Sequence, residues 1–174
     1  MITGVQIADA ALKSDLIGTP YSKLDCQALV EEVLKRAGLK IINYRGSNHM
    51  WRDLVYDRVS TNDAVILPGM LAFIVKNDGG EKKRGYHDNM GNATHVAIAL
   101  GDGTVYESTT GGVQISSMRK FTHVAKIIDV DYENAVPEIP GKETTADRIS
   151  AIREVLLQVC AELEAMKNDL HRDT

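Results

Sequence analysis

Apolar residues first recur at helical spacing. Val5, Ala8, Ala11, Leu12 and Leu16 share one face of a helix predicted over residues 5–17 and stopped by Gly18. Gly18-Thr19-Pro20 reads as a turn. A second helix is predicted over residues 25–37, with Cys26, Leu29, Val30, Val33, Leu34 and Ala37 in one stripe. Glu31, Glu32, Lys35 and Arg36 take the opposite side, and Gly38 supplies a left-handed stop. Residues 39–67 carry a weaker signal, in which Trp51, Leu54 and Val55 predict a short helix after Ser47-Asn48. Strands are then predicted over residues 70–76, 95–100, 104–109, 113–117 and 124–130, with glycine-containing turns between the later ones. Residues 77–94 form a polar loop of 18 residues between the first two strands. Helices followed by an antiparallel meander define an α+β class, with the helices packed on the sheet.

The texture changes after Asp131. YENAVPEIPGKETT holds two of the four prolines and reads as a linker over residues 132–146. Beyond it, Ile149, Ile152, Leu156, Val159, Leu163, Met166 and Leu170 alternate steps of three and four, a heptad seam that predicts a C-terminal amphipathic coiled-coil helix over residues 147–171. So narrow a stripe favours a homo-oligomer formed through residues 149–170; the alternative is a helix lying on its own domain, which usually shows a wider stripe. The expected organisation is a domain over residues 1–131, a linker and this helix.

Composition narrows the classes. The 174 residues suit one domain plus an appendage, and 44% hydrophobic with 25% charged residues is ordinary for a globular protein. A net charge of −4 without clustered Lys/Arg and aromatics gives no footprint for nucleic acid. No apolar run approaches the roughly 20 residues that cross a bilayer, so no membrane partner is expected. The start, with Asp9 and Asp15, lacks the basic and apolar regions of a signal peptide. The expectation is synthesis in the cytoplasm, with any work at the cell wall requiring another exit route. His87, Asp88 and His95 lack a ligand spacing, and no metal or cofactor is expected.

The chemistry-bearing candidates are a cysteine and a histidine. Asp25 is a good N-cap, which places Cys26 in the first helical turn, where the helix dipole favours thiolate over thiol. The same free N–H groups could stabilise an oxyanion. A thiol there is also a common way to fill space, and only a neighbouring base would make it a nucleophile. Of five histidines, His95 alone opens an apolar strand, HVAIAL, directly after the long loop; a hydrogen-bonded edge residue is the plainer reading. Cys160 lies beside the heptad seam and reads as an inert thiol, and no disulfide framework is expected.

Four segments, GTPY at 18–21, DCQALV at 25–30, PGML at 68–71 and HVAIALGDGTVYES at 95–108, together resemble the NlpC/P60 family of papain-like cysteine peptidases, which cut peptidoglycan stem peptides. The resemblance covers roughly residues 5–130. It implies a papain-like NlpC/P60 fold, with Cys26 as nucleophile, His95 as base and Glu107 in the third catalytic position, which the family usually fills with His. A carboxylate can orient an imidazole by accepting from its other N–H. Tyr21, Asp25 and Gln27 fall on the substrate-binding side. Gln27 stands where the family has Ser, Met70 where it has Asp, and the segment between Tyr21 and Cys26 is short. The implied activity is hydrolysis of a stem-peptide amide, the γ-D-glutamyl–diamino acid bond being the family's favoured target, with peptidoglycan or a muropeptide as substrate. A phage or prophage origin would account for delivery without a signal. Two alternatives stay open: an intracellular amidase or acyltransferase on a small γ-glutamyl or acyl substrate, and a structural phage-tail module. Lys82, Lys83 and Arg84 read as a solvated charge run, with contact to stem-peptide carboxylates as the alternative.

Hairpin geometry decides whether Glu107 reaches His95. If Gly101-Asp102-Gly103 is a three-residue loop with Gly103 left-handed, Leu100 pairs with Thr104, Ala97 with Glu107 and His95 with Thr109, and the two side chains share a face. A two-residue loop would turn Glu107 to the other face.

Overall fold

A capping box opens the first helix. The Thr3 hydroxyl accepts from the Gln6 N–H at 3.2 Å, and the Gln6 side chain accepts from the Thr3 N–H at 2.9 Å. Helix α1 (Gly4–Leu12) therefore starts directly after β1 (Ile2–Thr3). The structure is a computed structural model and describes residues 1–132. The predicted linker, the heptad helix and Cys160 lie outside the described residues.

Helix α1 ends at Leu12, short of the predicted residue 17, because Ser14 and Asp15 have other roles. Asp15 takes a left-handed conformation (φ +56°), and Ser14 Oγ donates to the Ala11 carbonyl at 2.7 Å and bonds Tyr106 Oη at 2.8 Å. Helix α2 (Cys26–Arg36) has Asp25 as its N-cap, accepting from the Ala28 N–H at 2.8 Å. Its stripe of Leu29, Val30, Val33 and Leu34 is fully buried and packs on the sheet, each side chain contributing about 1.5–3 kcal/mol. Glu31 departs from the expected outward face. It is buried, and its carboxylate accepts from the Tyr44 N–H and from Gln27 Nε2, both at 2.9 Å, so it anchors the chain segment that follows the helix.

Helix α3 (Ser47–Asp53) is the predicted short helix, and it buries Met50 and Trp51. Strand β2 (Val55–Ser60) follows where no strand was predicted. A bulge between Tyr56 and Val59, with Asp57 at φ +48°, breaks the alternation that would have marked it. The remaining strands are β3 (Leu71–Lys76), β4 (Asn92–Ala99), β5 (Thr104–Thr109), β6 (Gly112–Ser117), β7 (His123–Ile127) and β8 (Val130–Asp131). The predicted strand over 124–130 is thus divided, at Asp129 (φ +64°). The six-stranded antiparallel sheet runs β2-β7-β3-β4-β5-β6. It is not a simple meander, because β7 crosses back to pair with β3 through Leu71–Ala125 and Ala72–Val124. Beside it, β1 and β8 form a parallel pair.

Two turns position the site. Gly69 precedes β3 with φ +77°, and a Cβ there would meet the Gly4 carbonyl oxygen at 2.2 Å, so the start of α1 packs on bare backbone. Gly18 N–H donates to the Val113 carbonyl at 2.8 Å and Val113 N–H to the Thr19 carbonyl at 2.9 Å, which ties the GTPY segment to the β6 edge. The predicted 18-residue loop is shorter and more structured than expected. It holds a short helix, α4 (Gly80–Lys83), and β4 starts at Asn92. Arg52 grips Asp88 through two bonds of 2.7 Å, and Trp51 Nε1 donates to the Met90 carbonyl at 2.8 Å. Lys82, Lys83 and Arg84 are exposed.

Candidate active site

Cys26 begins α2 and is buried, 8% exposed, beside His95 and Val96 in the middle of β4. His95 on β4 neighbours the thiol and acts on it electrostatically. On the far side of the ring, His95 Nε2 lies 2.7 Å from Glu107 Oε2. With Nε2 engaged by the carboxylate, Nδ1 is the nitrogen left to serve the thiol. The hairpin has the register this contact needs: Leu100 N–H donates to the Thr104 carbonyl at 3.0 Å, and Ala99 pairs with Val105 and Ile98 with Tyr106. Gly103 is left-handed at φ +86°, and Asp102 Oδ1 accepts from the Thr104 N–H at 3.0 Å.

The electrostatics follow from this line of contacts. Burial is the largest influence on Cys26 and favours the neutral thiol. His95, Tyr21 and the Val96 N–H together outweigh it and hold the thiol below its ordinary value. Burial likewise pushes His95 down, yet its bonds and charge interactions with Cys26 and Glu107 raise it to about 9. Glu107 is pushed up by its burial but more strongly down by His95, Lys120 and Ser116, to about 2. These directions favour an imidazolium beside an ionised Glu107 and shift the Cys26 thiol toward its thiolate.

Of the substrate-side residues, Tyr21 is brought to the site: its hydroxyl lies 3.8 Å from Cys26 Sγ, in hydrogen-bond contact with the sulfur. Its burial and the neighbouring Cys26 raise it to about 12, so the hydroxyl keeps its proton. Asp25 is exposed beside Cys26 while capping α2. Gln27 is turned away to structural duty, its Nε2 donating to Glu31 Oε1 at 2.9 Å and to the Tyr44 carbonyl at 2.6 Å. Met70 is buried in the core and leaves no charge at the start of β3.

Three residues at the site were not among the sequence candidates. Ser116 Oγ donates to Glu107 Oε1, Lys120 Nζ lies 2.6 Å from the same oxygen, and the Phe121 ring stands 5.7 Å from the His95 ring. A signal for Ser116 existed. Thr109–Gly112 and Glu107–Gln114 pairing follows from a two-residue Thr110-Gly111 turn, and Ser116 then lies on the Glu107 face. Nothing local points from Lys120 or Phe121 to Glu107.

The fold coincides with a known one. No protein-family model matches the chain, and no curated protein sequence does. Solved structures do: the NlpC/p60 domain of the peptidoglycan hydrolase SagA aligns with a TM-score of 0.51 and 24% identity, over 72% of this chain and 99% of that one. RipD from Mycobacterium tuberculosis, described as a non-catalytic NlpC/p60 domain protein adapted to peptidoglycan binding, aligns at 0.46 and 21%, over 69% and 96%. NlpC1 from Trichomonas vaginalis aligns at 0.46 and 21%, over 71% of this chain and 42% of that one. The chain has the NlpC/P60 fold, a mixed architecture of helices on an antiparallel sheet.

Proposed function

We propose that the protein is a cysteine peptidase that hydrolyses an amide bond in peptidoglycan stem peptides through Cys26, His95 and Glu107. The observation that carries this reading is His95, which neighbours Cys26 at the start of α2 and is bonded at 2.7 Å to the fully buried Glu107. A cysteine kept only for packing needs neither partner. The SagA neighbour, named as a peptidoglycan hydrolase, supports the substrate class.

The Cys26 thiolate attacks the amide carbonyl carbon and forms the C–S bond. The oxyanion is met by N–H groups at the start of α2 and by the protonated Tyr21 hydroxyl. As the C–N bond breaks, the His95 imidazolium gives its Nδ1 proton to the leaving amine. Neutral His95 then takes a proton from water, which attacks the thioester. The sulfur leaves as thiolate and the imidazolium is restored. Glu107 keeps the ring in one orientation throughout and stabilises its charged form. Asp25, exposed beside the nucleophile, suits a free substrate amine, consistent with cleavage at the γ-D-glutamyl–diamino acid bond.

The test is mass spectrometry of purified peptidoglycan and free stem peptides after incubation with the protein, beside Cys26→Ala. New fragments absent from the variant are expected, and their masses identify the bond. No fragments across several wall chemistries would overturn the reading.

A further inference from the structure

We propose that Lys120 is a positioning residue whose ammonium group holds Glu107 ionised and oriented through both protonation states of His95. The proposal rests on the peptidase reading of the site above. Glu107 is 0% exposed, and both of its oxygens are engaged. Oε2 meets His95 at 2.7 Å, while Oε1 accepts from Ser116 and from Lys120 at 2.6 Å.

A buried carboxylate needs a compensating charge. His95 supplies one in the resting enzyme, but only there. When its proton passes to the leaving amine, Glu107 would stand as an unpaired charge in a dry site, and the acyl-enzyme would bear the whole cost. A fixed cation removes that dependence. The four groups then sum to zero at rest as thiolate, imidazolium, carboxylate and ammonium, and Glu107 keeps a partner when the imidazolium is spent. A neutral histidine in the third position, the family's usual residue, would carry no such requirement. The cation therefore answers a demand that the glutamate itself creates.

Lys120 can hold this role without being buried itself. Its side chain is 44% exposed, and its ammonium lies 5.5 Å from the centroid of the Phe121 ring, which in turn flanks His95. The groups that face Glu107 come from three elements: His95 from β4, Gln114 and Ser116 from β6, and Lys120 with Arg119 from the 3-10 turn Met118–Lys120. Beyond His95 stand Cys26 and Asp25 at the start of α2 and Tyr21 in the turn before it. Of the two cations lining the open hollow outside Glu107, about 560 Å³, Lys120 is the one bonded to the carboxylate.

The test is the pH dependence of Cys26 alkylation by iodoacetamide on the full chain, read by peptide mass mapping so that Cys160 is scored separately. Removing a cation raises the proton affinity of each group around it. In Lys120→Met the acid limb of Cys26 alkylation is expected to move up by about half a pH unit or more. Lys120→Arg should follow the wild-type curve. In a Glu107→Gln background the same Lys120→Met change should move the limb clearly less, because only the direct effect of the ammonium on His95 and Cys26 remains and the part carried through the carboxylate is gone. On a cleavable stem peptide, Lys120→Met should lower kcat about tenfold at unchanged KM. A Lys120→Met limb that superimposes on the wild-type curve, or an equal shift with Glu107→Gln, would overturn the proposal. Failure of the peptidase reading looks different: neither the wild-type protein nor any variant would then cleave a stem peptide, whatever the position of the alkylation limb. If Lys120→Met does not fold, a folded Glu107→Gln/Lys120→Met double variant supports the proposal, and an unfolded one overturns it.

Discussion

Cys26 and Glu107 flank the same imidazole and are held by opposite means. The thiol sits on a helix start whose cap, apolar stripe and glycine stop are all written between Asp25 and Gly38. Its orientation would survive changes in much of the sheet. Glu107 draws its partners from β4, β6 and the 3-10 turn, and its place depends on two hairpin registers being right at once. One end of the site is local and tolerant, the other non-local and fragile. A nucleophile must meet substrate and needs an open approach, whereas an orienting carboxylate is strongest where water is excluded. That exclusion is what obliges it to gather so many partners.

The sharpest separation of the two ends is Cys26→Ala against Glu107→Ala. Cys26→Ala should reduce hydrolysis at least about a thousandfold. Its unfolding midpoint should stay close to wild type, since a small buried thiol gives way to a methyl. Glu107→Ala should cost both activity and about 2–3 kcal/mol in urea unfolding, because His95, Ser116 and Lys120 lose their shared acceptor. The lower end of that range applies because the half-exposed Lys120 can return to water. Equal stability of the two variants would break the contrast.

The pH profile separates them next. With His95 raised to about 9, kcat/KM should fall above that pH, as the proton needed by the leaving amine is lost. Glu107 has the opposite sign. Its folded value of about 2 lies below the ordinary 4.5, so its contribution to stability is complete above about pH 4.5 and disappears as pH falls toward 2. Acid unfolding of Glu107→Gln should lack that component.

Smaller effects are expected at the two local devices. Gly103→Ala meets no neighbour within 4 Å but must hold φ +86°, and should cost about 1 kcal/mol in thermal unfolding while keeping the hairpin register. Asp25→Ala removes the α2 cap and should cost about 1 kcal/mol or less, with a modest loss of Cys26 reactivity toward iodoacetamide. Were Gly103→Ala to lose most activity while remaining folded, the register at Glu107 would be weaker than its contacts indicate.

The legible features of the sequence are those with short-range causes. The α2 boundaries, its buried stripe, the short α3 helix and the β4–β5 hairpin follow from capping, periodicity and one glycine turn. They brought Cys26 and His95 into view; Glu107 came from the NlpC/P60 resemblance, and the hairpin rule put it on the His95 face. Features set by distant contacts were not legible. Strand β2 hides its alternation behind a bulge, α1 stops early because Ser14 bonds Tyr106, and Glu31 is buried because it takes up Tyr44 from the next segment.

By itself, then, the sequence determined where Cys26 lies and which way it faces, because a helix start is governed by residues a few positions apart. Only the tertiary structure decided that Lys120 and Phe121 complete the other end. They reach Glu107 and His95 because β6 and the turn after it fold back beside β5 and β4, and no local pattern in VQISSMRKF encodes a buried charge elsewhere in the sheet. The physical reason is range. Caps and periodicities act along the chain over a few residues, whereas compensation of a buried charge acts through space and asks only that a cation arrive.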